Sequence, residues 1–323
     1  MTKNLMPDRY KQTDFFICDI FDSFKDDLAS MEHPVFSLST KPDHRLLEYD
    51  YKGVNIKIKP SYTGLATIFD KDILMYLASS LMNSKNQGEC ISKIVRFTSY
   101  DYFLSTNKKT GGTQYKQLNE SLERLSGTRI QTNIKTNGKE ITRDFGLIDY
   151  WETVKEDKGG KSILVEVKLS DWFYNSILGD EVLTIDKDYF RLRKPTERRI
   201  YELARKHCGS QIAWKIKLEN LKEKIGTVTT IRKLRFNMKQ LAESNHLPEY
   251  NVSIQDDVVL ISRKEDHQEV NKKSHDMLPK HVSKKEIEKH ARVGETYDQA
   301  RERLGNKDNI RNLKKAIQNK GSM

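Results

Sequence analysis

The strongest constraint in this chain is an order of segments that occurs twice. In the first copy, ATIFDKDILMYLASSLMNS places Ile73, Leu74, Leu77 and Leu81 at helical spacing, with Asp70 or Lys71 at its start. IVRFTSYDYFLST opens with a short strand, after which Thr98 or Ser99 can cap a short helix through Tyr102, Phe103 and Leu104. TNKKTGG is a turn. QYKQLNESLERLSG then sets Leu118, Leu122 and Leu125 on one face, with Gly127 just past the end. Three alternating β segments follow, TRIQTNIK, ITRDFGLIDYWETV and SILVEVKLSDWF, divided by the turns TNGK and KEDKGGK.

The second copy has different residues in the same order. PTERRIYELARKHCG turns Ile200, Leu203 and Ala204 inward and ends on Gly209. IAWKIKLENLKEKIG carries a short strand and a helix. TVTTIRKLRFNMKQLAESNHL is a longer helix, with Ile231, Leu234, Met238 and Leu241 at helical spacing. YNVSIQDDVVLISRK is a hairpin turning at Gln255 to Asp257. Helix, turn, helix, hairpin is the order of a winged helix-turn-helix. The expected fold class is therefore α+β: two tandem winged helix-turn-helix domains with a charged, flexible C-terminal tail. The expected division is a loose N-terminus over 1–13, a first domain over 14–183, a second over 184–263 and a basic tail over 264–323. The boundary falls near Gly179 to Thr184, and LLEYDYKGVNIKIKP reads as a hairpin about Gly53.

Charge separates the two copies. The formal net charge is +11. Thr184 to Arg263 holds 17 basic and 10 acidic residues, and Lys264 to Met323 holds 15 and 10, so the whole basic excess lies in the second half. Such an excess suits a polyanion, because neutralising phosphates releases their counterions. No stretch approaches the roughly 18 apolar residues of a membrane span, and MTKNLMPDRYKQTDFF lacks the apolar core of a signal peptide. Cys18, Cys90 and Cys208 are odd in number and widely spaced, which fits a reduced, cytoplasmic setting and no structural zinc. Cys208 reads as a small buried group closing a helix.

A helix that reads DNA needs an apolar inner face and an outer face of Arg, Lys, Asn or Gln to match base edges in the major groove. The helix from Thr230 to about Ser244 has both. Its outward set is Arg232, Lys233, Arg235, Asn237 and Lys239, and Thr229 or Thr230 can cap it or hold a phosphate. The equivalent first-copy helix offers Thr113, Gln114, Lys116, Asn119 and Arg124 but also Glu120 and Glu123, so backbone contact or a subunit interface is as good a reading as base readout. Arg129 and Lys135 on the following hairpin are candidates for the minor groove or phosphates. Arg198 and Arg199, just inside Pro195 and Thr196, either grip phosphates or bridge to Glu197 or Glu202. The aromatic group Tyr100, Tyr102, Phe103, Tyr150, Trp151, Trp172, Phe173 and Tyr174 could stack on single-stranded bases but fits core packing better.

The sequence carries no GxxxxGK[ST] phosphate loop, no HExxH or His-x-His pair and no GxSxG elbow. The chain reads as a binder, not an enzyme, with no metal and no cofactor.

Several long blocks resemble a known family. ATIFDKDILMYL, RFTSYDYFLSTNKKTGGTQYKQLNESLERLSGTRIQT, FGLIDYWE and LSDWFYNSI resemble the first domain of the bacterial plasmid replication initiator protein A family. PTERRIYELARKHCG, a W-x-I-x-L-x-x-L stretch and IRKLRFNMKQL resemble its second domain, and the match runs over about residues 14 to 263. The resemblance implies a relative of the iteron-binding initiators. Such proteins bind direct repeats in duplex origin DNA, help open an adjacent AT-rich segment and recruit the host helicase and its loader, often with the host initiator ATPase. It also implies a monomer–dimer equilibrium with repression of the protein's own gene, base reading by the second domain, and DNA contacts and dimerisation by the first. A winged-helix transcriptional repressor without a replication role stays open beside it. A primase or nicking enzyme is a third reading, from another class.

Overall fold

The computed structural model describes residues 5–10, 15–18, 35–51, 54–136, 139–155, 163–178, 182–208 and 213–264. The tail from residue 265, residues 1–4 and 11–14, the Gly53 turn, and the centres of the TNGK and KEDKGGK turns lie outside them.

The second half is the simpler unit. Pro195 opens α5 (Pro195–His207), β10 (Ala213–Lys217) follows, and then come α6 (Leu218–Ile225) and α7 (Ile231–Ser244). Gly226 closes α6 at φ 71°, a left-handed position that glycine adopts without strain. The hairpin β11 (Tyr250–Gln255) and β12 (Val258–Arg263) completes it, and the three strands form one antiparallel sheet in the order β10-β12-β11. Ile200, Leu203, Leu221, Leu234, Met238, Leu241, Val259 and Ile261 fill the space between helices and sheet. Cys208 is buried at the end of α5.

The first half repeats this unit and adds to it. Its helices are α1 (Lys71–Asn86), α2 (Ser99–Ser105), α3 (Gly112–Gly127) and α4 (Asp171–Leu178), with β4 (Ile94–Thr98) ahead of α2. The Thr98 hydroxyl accepts the Asp101 N–H and caps α2. Four strands follow α3 where the sequence suggested three: β5 (Arg129–Thr136), β6 (Lys139–Gly146), β7 (Ile148–Lys155) and β8 (Ile163–Leu169). The stretch ITRDFGLIDYWETV breaks because Leu147 and Ile148 are both buried. Adjacent residues of one strand point to opposite faces, so two successive inward side chains mean that the chain has changed sheet. Gly146 fits that crossing, since a Cβ there would lie 3.0 Å from the Ile148 carbonyl oxygen.

β6 therefore joins β2 (Leu47–Tyr51), β3 (Val54–Lys59) and β5 in a sheet of order β2-β3-β5-β6, while β7 joins β4-β8-β7. The second sheet has the same connectivity as β10-β12-β11: the strand before the second helix pairs with the last strand of the hairpin. The extra hairpin β5–β6 is thus an insertion between α3 and the repeated unit's own hairpin. Of the grouped aromatics, Tyr102, Phe103 and Phe173 are buried in the first core, whereas Tyr100 and Tyr150 are exposed.

Gly127 ends α3 against the turn after β3, where a Cβ would overlap the Ser61 Cβ. Gly127→Ala is expected to cost about 1–3 kcal/mol through overpacking. A urea midpoint that falls with unchanged slope checks this.

The two cores divide between Ile177 and Ile185, with Met75 of α1 reaching into the second. A charged seam joins them. The Asp72 carboxylate accepts from Arg198 Nη1 at 2.6 Å and from Lys108 Nζ at 2.6 Å. The Arg198 guanidinium lies 4.6 Å from the Phe69 ring centroid and 4.9 Å from that of Tyr189, and donates to the Leu192 and Phe190 carbonyls. Lys71 pairs with Glu202 at 3.0 Å. Burial opposes the charge on Arg198, but Asp72, Tyr189 and Tyr102 together more than offset it and leave the pKa above its ordinary value.

Residues 5–9, expected to be loose, are bonded to both halves. Leu5 bridges Leu192, Met6 N–H donates to the Arg191 carbonyl, and Arg191 Nε donates to the Met6 carbonyl. Arg9 N–H donates to the Asn107 side chain, and Asn107 Nδ2 donates to the Pro7 carbonyl. β1 (Phe15–Cys18) pairs with β9 (Val182–Ile185) at the same junction.

Candidate nucleic-acid interface

α7 presents the basic face expected of it. Leu234, Met238 and Leu241 are buried, which fixes the helix rotation. Arg232, Lys233 and Lys239 are then exposed, and Arg235 and Asn237 lie at the flanks, partly covered. The Thr230 hydroxyl accepts the Lys233 N–H at 3.3 Å and caps the helix. Asn245 ends it in the left-handed region at φ 42°. Thr230→Ala is expected to cost about 1 kcal/mol of stability, as loss of a hydroxyl cap does. Thermal melting reads this directly, and Thr230→Asp should restore it.

The same rotation exposes two residues that periodicity alone does not single out. Phe236 is 51% exposed in the middle of the basic face, with Lys233 Nζ 4.9 Å from its ring centroid. Gln240 follows it one turn on and is exposed too. Phe236 is hidden in the sequence because an aromatic residue in a helix is ordinarily assigned to the core. The cue is its offset from the Ile231, Leu234, Met238, Leu241 series.

The hairpin beside α7 turns through Asp256 and Asp257, at φ 47° and 59°. Arg235 Nε donates to Asp257 Oδ1 at 2.6 Å and Arg235 Nη2 to Oδ2 at 2.7 Å. That pairing holds the Asp257 carboxyl below the usual carboxylate range, with Lys239 adding to the effect. The hairpin tip is thus acidic and braces the helix instead of offering cations of its own.

The remaining candidates divide. Arg198 is 1% exposed in the seam with Asp72, so it is not available to grip a phosphate. Arg199 donates to the Lys224 carbonyl at the end of α6 and pairs with Glu202 at 3.4 Å, which is the ion-pair alternative. On α3, Thr113, Lys116 and Asn119 are exposed and Gln114 is half-buried, and Lys116 reaches Glu120 at 3.8 Å. Arg124 is held by Asp70 through two bonds of 2.8 and 2.7 Å. Arg129 lies on the inserted hairpin, paired with Asp144 at 2.7 Å. The Lys135 side chain lies outside the described residues. Among the described positions, α7 keeps the most cations at the surface.

A cavity of about 450 Å³ opens beside α3, but Lys108 and Arg124 on its wall already face Asp72 and Asp70. Among the described residues no group of three or more His, Cys, Asp or Glu could hold a metal ion, and no helix is long and apolar enough to cross a membrane.

Residues 25–252 match the family described as replication initiator protein A. A protein of Wigglesworthia glossinidia brevipalpis, named as a replication protein, is 41% identical over 261 residues, which is 79% of this chain and 94% of that one. In fold, the chain is similar to crystal structures of domains 2 and 3 of RctB. One aligns with a TM-score of 0.53 at 13% identity, covering 72% of this chain and 96% of the other. A second aligns with a TM-score of 0.51 at 15% identity, covering 73% and 97%.

Proposed function

Because the chain belongs to the replication initiator protein A family, we propose that it starts plasmid replication by binding direct repeats in duplex origin DNA, with α7 in the major groove. The repeated helix, strand, helix, helix, hairpin unit is read as a winged helix-turn-helix in each half. One observation carries the base-reading role: the exposed row Arg232, Lys233, Phe236, Lys239 and Gln240 on α7. Arg and Lys match the guanine O6 and N7 acceptors, Gln matches adenine N6 and N7, and a phenyl ring can cover a thymine methyl.

The first half takes a different share. α3 mixes both signs of charge, which suits backbone contact or dimerisation through Thr113, Gln114, Lys116 and Asn119 better than base reading. The other cations fall to structural roles: Arg198 and Arg199 to the junction of the two halves, and Arg129 to the inserted hairpin. Family membership extends the proposal to opening of an adjacent AT-rich segment, recruitment of the host helicase, its loader and initiator ATPase, and repression of the protein's own gene by a dimer.

The test is replication in trans. A plasmid carrying only the cognate origin is expected to replicate when this protein is supplied separately and to be lost when it is not. Maintenance of that plasmid without the protein would contradict the reading.

A further inference from the structure

We propose that Asp257 is a specificity-determining positioning residue, which holds Arg235 so that the guanidinium meets a guanine end-on. This rests on the reading of α7 as the base-reading helix.

An acidic hairpin tip is unexpected beside a helix meant for DNA. Asp256 and Asp257 would face a phosphate backbone, where each carboxylate opposes binding. The backbone also makes the choice unexpected. Both turn residues have positive φ, and the second position of such a two-residue hairpin favours glycine. An aspartate there gives up conformational ease and gains only its side chain.

The side chain has one clear task. A guanidinium has two edges that can each bond in parallel pairs. Asp257 occupies the edge formed by Nε and Nη2. The opposite edge, formed by Nη1 and the second Nη2 hydrogen, points away from the carboxylate. That edge has the spacing of guanine O6 and N7. The carboxylate therefore fixes the long Arg235 side chain in one presentation before DNA arrives, so less rotamer freedom is lost on contact. Leu218 N–H donates to the Asp257 carbonyl at 2.8 Å, which ties the tip to the start of α6 and holds the brace in place. Lys239, one turn along α7 from Arg235, contributes charge to the same carboxylate.

The experiment uses the full chain. Duplexes are first selected from a random pool, and each guanine of the selected site is then replaced by 7-deazaguanine, which lacks the N7 acceptor. Asp257→Gly removes the carboxylate while suiting the positive φ, and Asp257→Asn keeps one acceptor oxygen. In the unmodified protein one guanine is expected to show about a tenfold loss on 7-deaza replacement. Arg235→Ala should abolish that sensitivity. Asp257→Gly should remove most of it and Asp257→Asn part of it, with melting temperature and binding to a scrambled duplex retained or slightly raised. Full 7-deaza sensitivity in Asp257→Gly, with cognate and scrambled duplexes tightened alike, would overturn the proposal and leave Asp257 as a mere repulsive charge. A selection that returns no preferred sequence would instead overturn the base-reading role of α7, and this proposal with it.

Discussion

Asp72→Ala is expected to destabilise the protein by about 3–5 kcal/mol, the cost of leaving a buried cation without its partner. Asp72 is fully buried, and it is the carboxylate that faces both Arg198 and Lys108. Lys108 is partly exposed and can turn to water. Arg198 cannot, because it is buried against the Phe69 and Tyr189 rings and its carbonyl partners are fixed in the chain. A stability of about 5–15 kcal/mol is ordinary for a domain, so this one change removes a large part of it. Thermal melting should fall by roughly 10 °C. Replacing the pair together, Asp72→Leu with Arg198→Met, should recover most of the loss, since a desolvated ion pair gains little over well-packed apolar side chains. If the double variant is no better than Asp72→Ala, the pair does more than offset its own burial. The seam would then owe its geometry to the charges.

Arg232→Ala combined with Arg235→Ala is expected to remove sequence-specific binding while leaving the fold intact. Each good Arg contact to a base is worth about 1–3 kcal/mol, so the pair should cost roughly 30-fold to 20,000-fold on a cognate repeat. Neither residue is buried, so stability should change little. Non-specific binding should weaken far less, because Lys233 and Lys239 remain on the same face. Lys233→Ala alone should act differently. If it meets phosphate, it weakens all sequences alike and lowers the salt slope by about one unit. Titrations on cognate and scrambled duplexes at several salt concentrations separate these outcomes.

The helices are legible in the sequence because their cores are local. Leu234, Met238 and Leu241 recur at three- and four-residue steps, and Thr230 precedes them, so the buried face and the cap of α7 follow from neighbours within one segment. The same holds for Leu118, Leu122 and Leu125 on α3. What escapes depends on residues far apart in the chain. Arg198 reads as a surface cation until Asp72, 126 residues earlier, is packed against it. Arg235 reads as free until the hairpin returns Asp257 to its side, 22 residues later. In ITRDFGLIDYWETV the alternation breaks at the adjacent pair Leu147 and Ile148, but the break reads as a change of sheet only once both side chains are seen to be buried. The order of elements is thus readable from periodicity, and the division of cations between structure and surface is not.

The most direct test of α7 as the base reader is a methylation-protection footprint on the plasmid's own origin. Dimethyl sulfate modifies guanine N7 in the major groove and adenine N3 in the minor groove. With the unmodified protein, guanine N7 protection should recur at the same position in every direct repeat, and it should disappear with the Arg232→Ala, Arg235→Ala double variant. Protection confined to adenine N3, or guanine protection that survives in the double variant, would contradict base reading by α7.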